Sequence, residues 1–429
     1  MLAYSMNFRR LLILLAVVLN LASADGAWAS PKEKVLYRFR AAEDGSKPSS
    51  SLVMDASGNL YGTTMQAGEG FSNCNYGCGT VFELMPSGND EWRFKTIYAF
   101  QGGTDGASPS GNLVFHQAGN LYGTTLGGGT VGNCYYQAGC GTVFELSPNS
   151  DGSWTETVLY RFQGYPDGFR PSGLTLDATG SLYGTTSVNL EAAGATVYKL
   201  SPPQQKGGTW TEQTMTTFPC CGEAANSVLV MDNRGNLIGT TQVQNQFCNK
   251  TCGQVFELAL VDGEWVETSL YQFAGEGNGA NPMAGVILDG DGNLYGATRQ
   301  GGNNFGVAFQ LKHNSPQWNS TLLYNFCSDN NCADGAHPLA GVVFDKSGNL
   351  YGTTYDGGTG CNKGYRGCGI VFKLTHTRSG WEEMVLHHFS DDPDGSKPAA
   401  SLIFDSAGNI YGTTTSGGKD VGTVFEITP

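Results

Sequence analysis

Short apolar runs alternate with polar turns along nearly the whole chain. The runs are rich in β-branched and aromatic residues and are bounded by Gly, Asn, Asp or Pro, the pattern of strands. One stretch shows four of them in order: Asn112 to His116, Asn120 to Thr125, Gly141 to Leu146 and Trp154 to Phe162. The second run recurs almost unchanged. Its tyrosine reappears as Tyr61, Tyr122, Tyr183, Tyr295, Tyr351 and Tyr411, with Ile238 in the fourth copy, at steps of 61, 61, 55, 57, 56 and 60 residues. A repeat of this period signals a propeller or a solenoid. The two ends decide between them. Val35 to Phe39 is a lone fourth run, and Gly422 to Ile427 is a third run without its fourth. Together they make one complete copy. An open solenoid needs polar caps at both ends, whereas a ring that borrows its last outer strand from the N-terminus explains both defects. The expected fold is all-β: a seven-bladed β-propeller of four-stranded blades, closed by the N-terminal strand.

The recurring aromatics fit blades packed face to face. Trp92, Trp154, Trp210, Trp265, Trp318 and Trp381 open fourth runs, each six residues before the Tyr, Thr or His of the closing motif. An even offset puts both on one strand face. A phenylalanine ends that motif in every copy, from Phe39 to Phe389. Glycine sits in the middle of every second run, from Gly62 to Gly412. A strand glycine marks close approach of other atoms, and an aromatic ring from the next blade is the expected intruder.

The start of the chain reads differently. Arg9 and Arg10 precede the apolar run Leu11 to Leu21, followed by Ala27-Trp28-Ala29. This is the layout of a secretory signal peptide over residues 1–29, with the propeller over 30–429. The run is too short to span a bilayer, and no membrane span is expected after cleavage. Glycine, 62 of 429 residues, is about twice its usual share, and charged residues at 14% are scarce. Both argue against long solvated helices. The formal charge of −14 leaves no basic stripe for phosphates, so nucleic acid is not an expected partner. The expected location is secreted or periplasmic, as a monomer.

The element Pro-x-x-x-Leu-x-x-Asp-x-x-Gly-Asn-Leu-Tyr-Gly-Thr-Thr, followed by Gly-Thr-Val-Phe-Glu-Leu, resembles the GloVer tandem repeat of bacterial choice-of-anchor surface proteins. The Gly-Thr-Val-Phe part is intact at Gly79 to Phe82, Gly141 to Phe144 and Gly422 to Phe425. The first two strands also resemble NHL-type propeller repeats. The resemblance implies an exported repeat propeller and carries over no catalytic residue.

Twelve cysteines in an exported chain point to disulfides. Cys74/Cys78, Cys134/Cys140, Cys248/Cys252 and Cys361/Cys368 lie between second and third runs. Cys327/Cys332 and the adjacent Cys220 and Cys221 lie between blades. Both loop classes emerge on one propeller face. Zinc needs about four ligands, and no histidine or second cysteine pair accompanies each site. Bridges over such short loops stiffen them, which lowers the ordering cost of binding. Tyr76, Tyr135, Tyr136 and Tyr365 lie between paired cysteines, outside the strand pattern. They are either contact residues for a glycan or protein or covers over their own disulfides.

A second set of candidates comes from Asp-Gly-x-x-Pro at Asp44, Asp105, Asp167, Asp334 and Asp394. Two readings stand. The carboxylates ring the channel mouth and suit a hard cation such as calcium, or each Asp-Gly is an ordinary turn. Lys47, Arg170, His337 and Lys397, three residues on, weaken the first. The other repeated acid, from Asp55 to Asp405, reads as a turn cap. His387-His388 stands where other copies place Tyr and its neighbour, a substituted strand position. No His-Glu-x-x-His, Gly-x-Ser-x-Gly or phosphate-cradling loop is present. The expectation is a non-catalytic propeller that binds a glycan, peptide or envelope protein through the disulfide face, with no cofactor required. The alternatives are a metal-assisted hydrolase or lyase at the channel mouth, and a purely structural envelope protein.

Overall fold

Each repeat folds as an antiparallel sheet, and seven sheets form the ring. The computed structural model describes residues 30–429 except 42–43, 69–73, 75, 117–118, 130–133, 135–138, 188–193, 206, 219–222, 225–226, 244–251, 315–316, 362–365 and 418–420. Blade one runs outward through Val53–Met54, Leu60–Thr64, Thr80–Gly88 and Glu91–Ala99. The innermost strands of blades two and three are longer, Ala107–Phe115 and Phe169–Leu176. Blade four splits its innermost strand into Glu223–Ala224 and Val230–Met231, both paired with Leu237–Val243. In blade seven Lys32–Arg38 pairs antiparallel with Thr423–Thr428 as the outermost strand, with Val35 opposite Phe425. The two incomplete chain ends therefore do build one blade.

The core lies between blades. At each junction the phenylalanine that ends a fourth strand meets the third-strand aromatic of the next blade. Phe100 and Phe144 stand 5.1 Å apart, Phe162 and Tyr198 5.0 Å, and Phe389 and Phe425 5.1 Å. Phe39 on the closing strand contacts Phe82 of blade one at 5.2 Å, which completes the circle. The tryptophans pack across the same junctions: Trp154 against Tyr61 and Trp210 against Tyr122, both at 6.1 Å.

The mid-strand glycine is required, but its neighbour differs from the expectation. Gly62 pairs directly with Phe82 of its own blade, and a Cβ on Gly62 would stand 2.6 Å from the Phe82 ring. Cross-strand register, and not the neighbouring blade, brings the ring over the glycine.

A second close contact joins blades. Gly141 opens a third strand at φ +95°, and a Cβ there would lie 2.5 Å from Cδ of Pro171 in the next blade. One residue away, the Arg170 N–H donates to the Cys140 carbonyl at 2.8 Å. Two motifs of the repeat, Gly-Thr-Val-Phe and Asp-Gly-x-x-Pro, thus interlock across the junction. The same contact recurs between Gly422 and Pro48, at 2.6 Å, where the ring closes.

Candidate functional site

The innermost strands enclose a central cavity of about 460 Å³. Its polar lining comes from Ser49, Ser50, Ser51, Ser110, Asn112, Ser172 and Ser401, with aliphatic residues and glycines between them. No carboxylate, histidine or basic side chain is among its described lining residues.

The five candidate aspartates do not line this cavity. Each turns back toward the outer strand that it follows. The Tyr37, Tyr98, Tyr160 and Tyr324 hydroxyls donate to Asp44 (2.6 Å), Asp105 (2.6 Å), Asp167 (2.8 Å) and Asp334 (2.8 Å). Backbone N–H groups of Arg40, Gln101, Gln163, Ser328 and Ser390 donate to the same five carboxylates. These carboxylates serve their own turns and do not converge on the cavity. Each aspartate fastens the end of a blade to the loop that leads into the next. Asp289, Asp345 and Asp405 of the second set accept from backbone and Asn side chains within their turns. Burial pushes these carboxyls up, but the hydrogen bonds outweigh it and hold them below the usual range.

A glutamate on the outer strand of the next blade stands beside several of these junctions. Burial and the nearby Asp105 push Glu156 up to about 7. Burial, Asp334 and Asp329 push Glu383 up to about 8. An Oε1 of each is buried without a hydrogen-bond partner.

The loop face carries disulfides Cys74–Cys78, Cys134–Cys140, Cys327–Cys332 and Cys361–Cys368. Cys252 is also disulfide-bonded; Cys248, its expected partner, and Cys220 and Cys221 lie outside the described residues. Tyr76 projects from its loop, 73% exposed. Tyr135, Tyr136 and Tyr365 lie outside the described residues, as does the expected signal peptide.

Near the Cys361–Cys368 loop the face departs from the repeat. His337 Nδ1 lies 2.9 Å from Asp356 Oδ2. The Lys397 ammonium, from the next blade, donates to the other Asp356 oxygen and to the Arg366 and Gly367 carbonyls. The same ammonium lies 5.1 Å from the Tyr355 ring centre, and the Phe305 ring lies 5.5 Å from that of His337. Burial raises the Asp356 carboxyl, but its bonds to His337 and Lys397 hold it below the ordinary range. Sequence reasoning placed His337 and Lys397 on this face but missed Tyr355 and Asp356. A copy-by-copy comparison carries the signal: Asp356 is the one acid at its repeat position, opposite Gln66, Gly127, Val188, Val243, Gln300 and Ser416.

No curated protein matches the chain by sequence. Among solved structures, a polysaccharide lyase of the PL25 ulvan-lyase family is similar, with TM-score 0.52, 10% identity, and 92% of this chain and 95% of that chain covered. A luciferin-regenerating enzyme gives TM-score 0.45 at 15% identity over 75% of this chain and 91% of that chain. A hypothetical selenium-binding protein from Sulfolobus tokodaii gives 0.49 at 12% identity over 77% and 76%. At such identities these likenesses describe the fold alone. The model of the Gloeobacter/Verrucomicrobia repeat matches residues 27–136, 135–364 and 324–429. With seven repeat-built blades and a family match along almost the entire chain, the protein belongs to the Gloeobacter/Verrucomicrobia repeat family.

Proposed function

We propose that the protein is an exported binding module that takes a glycan or peptide on its disulfide-bearing loop face. One observation carries this reading: the groups that break the repeat, Tyr76 and the Tyr355–Asp356–His337 cluster held by Lys397, lie on the face that carries the disulfides. Tyrosines beside fixed polar groups give apolar area and hydrogen bonding at low entropic cost. Local disulfides and the signal-like segment 1–29 support an oxidising, extracytoplasmic setting. No helix among the described residues is long and apolar enough to cross a membrane.

The lyase or hydrolase alternative has less support, because the described lining of the channel offers serines, an asparagine and backbone. Such groups hold a polar ligand but do not shuttle protons at neutral pH. The Asp356 cluster is occupied internally, since its lysine is spent on a carboxylate and two carbonyls.

Screening the oxidised protein on arrays of neutral and acidic polysaccharides and peptides tests the proposal. Binding is expected, and Tyr76→Ala combined with Tyr355→Ala should weaken it at least about tenfold with little change in melting temperature. Binding that survives both changes would reject this face as the contact surface.

A further inference from the structure

The junction between blades six and seven differs from four of its sisters by one exchange. At four other junctions a tyrosine on the outer strand donates to the junction aspartate, as Tyr98 does to Asp105 and Tyr324 to Asp334. At this junction His387 takes the tyrosine's place, with Nε2 2.8 Å from Asp394 Oδ2. The other oxygen of Asp394 is held by the Ser390 N–H (3.0 Å) and hydroxyl (2.6 Å). Those bonds fix the carboxylate with Oδ2 toward the imidazole. Glu33 completes the group from the closing strand. Ligand atoms of Glu33, His387 and Asp394 all lie within 4.8 Å of one another. Glu33 Oε1 is buried and has no hydrogen-bond partner.

These features point one way. A neutral phenol is a poor metal ligand, but an imidazole nitrogen is a good one. Two carboxylates with a neutral histidine carry a formal charge of −2, which matches a dication. Ligands about 2.0–2.2 Å from a zinc ion stand roughly 3–3.5 Å apart, a spacing bracketed by the 2.8 Å pair and the 4.8 Å outer limit. The serine bonds to Asp394 supply the outer shell that orients a ligating carboxylate. Arg38, the nearby cation, donates its Nε–H to the Pro393 carbonyl at 2.8 Å. Glu33 and His387 are partly exposed, so water has access to a fourth coordination position.

We propose that Glu33, His387 and Asp394 form a binding site for a divalent transition metal, with Zn²⁺ the best match to one nitrogen and two oxygen donors. The three ligands come from the closing strand, the outer strand of blade six and the loop into blade seven. The ion therefore clips the N-terminal strand to the blade beside it, independently of any ligand on the loop face.

The test uses the oxidised full chain, stripped with a chelator and then titrated with Zn²⁺ alone. The parent is expected to retain one zinc per chain after dialysis and to melt at a higher temperature as free zinc rises. His387→Tyr installs the sister residue, so it should fold as the parent does without metal, yet lose the retained zinc and the thermal shift. Glu33→Gln should weaken retention at least about tenfold. Equal retention by parent and His387→Tyr would overturn the site, as would a parent that retains none.

Discussion

A glycine inside a strand ordinarily weakens it, because it adds no packing and frees the unfolded backbone. Here the missing side chain is the reason for the residue. Gly123 lies opposite Phe144, and a Cβ on it would stand 2.4 Å from the ring. Gly123→Ala should destabilise by about 1–3 kcal/mol, read from the urea midpoint, and Phe144→Leu should relieve part of that cost. Sequence reasoning recognised the close approach but named the wrong blade. The reason is register: Phe82 and Phe425 both face the glycine of their sheet, although one lies 20 residues beyond Gly62 and the other 13 beyond Gly412. Loop length between the two strands hides a pairing that the ladder fixes. Glu383 gives a second prediction. Burial beside Asp334 and Asp329 raises its carboxyl to about 8, so the fold binds its proton more tightly than the unfolded chain does. Its contribution is present at pH 5 and is lost as pH rises through about 8. Thermal melts from pH 5 to 9 should show falling stability, and Glu383→Gln should flatten that slope by an amount on the order of 1–3 kcal/mol. An unchanged slope would remove Glu383 as its source.

The strands themselves were legible because alternating apolar runs and Gly or Asn turns recur in seven registers. What joins them was less so. The contact between Gly141 and Pro171 unites two motifs that look independent along the chain. One coordinated departure supports the join. Blade three has Ala195 where others open with glycine, and the following copy of the second motif, Cys221 to Ala225, lacks the proline. With no ring to accommodate, a methyl group is tolerated. The disulfides belong to the same join, since the Cys78 and Cys140 carbonyls accept from Ser108 and Arg170 of the next blade. Their loops are short, with separations of 4 to 7 residues. Replacing Cys74 and Cys78 together by serine should therefore cost only about 2 kcal/mol or less by chemical denaturation. A loss well beyond that would mean the bridge holds the ring and does more than stiffen its loop. The site was harder to read than the fold. Sequence patterns name residues that repeat, whereas Tyr355 and Asp356 matter because they do not.

Across the molecule, stability resides in junctions, each with its aromatic pair, and among the described residues each cluster of buried apolar side chains draws on two neighbouring blades. Breaking one junction weakens the grip on both neighbours. Deleting residues 30–40 removes the strand paired with Thr423–Thr428 and the Phe39–Phe82 contact together. The truncated chain should melt far below the parent, and equal melting would reject closure by this strand.

The closing strand has a further consequence. Lys32–Arg38 is held in blade seven by lateral pairing along its length, and the register with Thr423–Thr428 needs no covalent link to blade one. The seam should therefore accept its strand from outside. A synthetic peptide of residues 30–40, added to the truncated chain, should dock on the vacated edge as an added β-strand. Recovery of the melting transition in proportion to peptide concentration would make the propeller a two-piece complementation system. The exposed edge of an unclosed ring would equally accept the same strand from a second copy, a route to exchanged dimers.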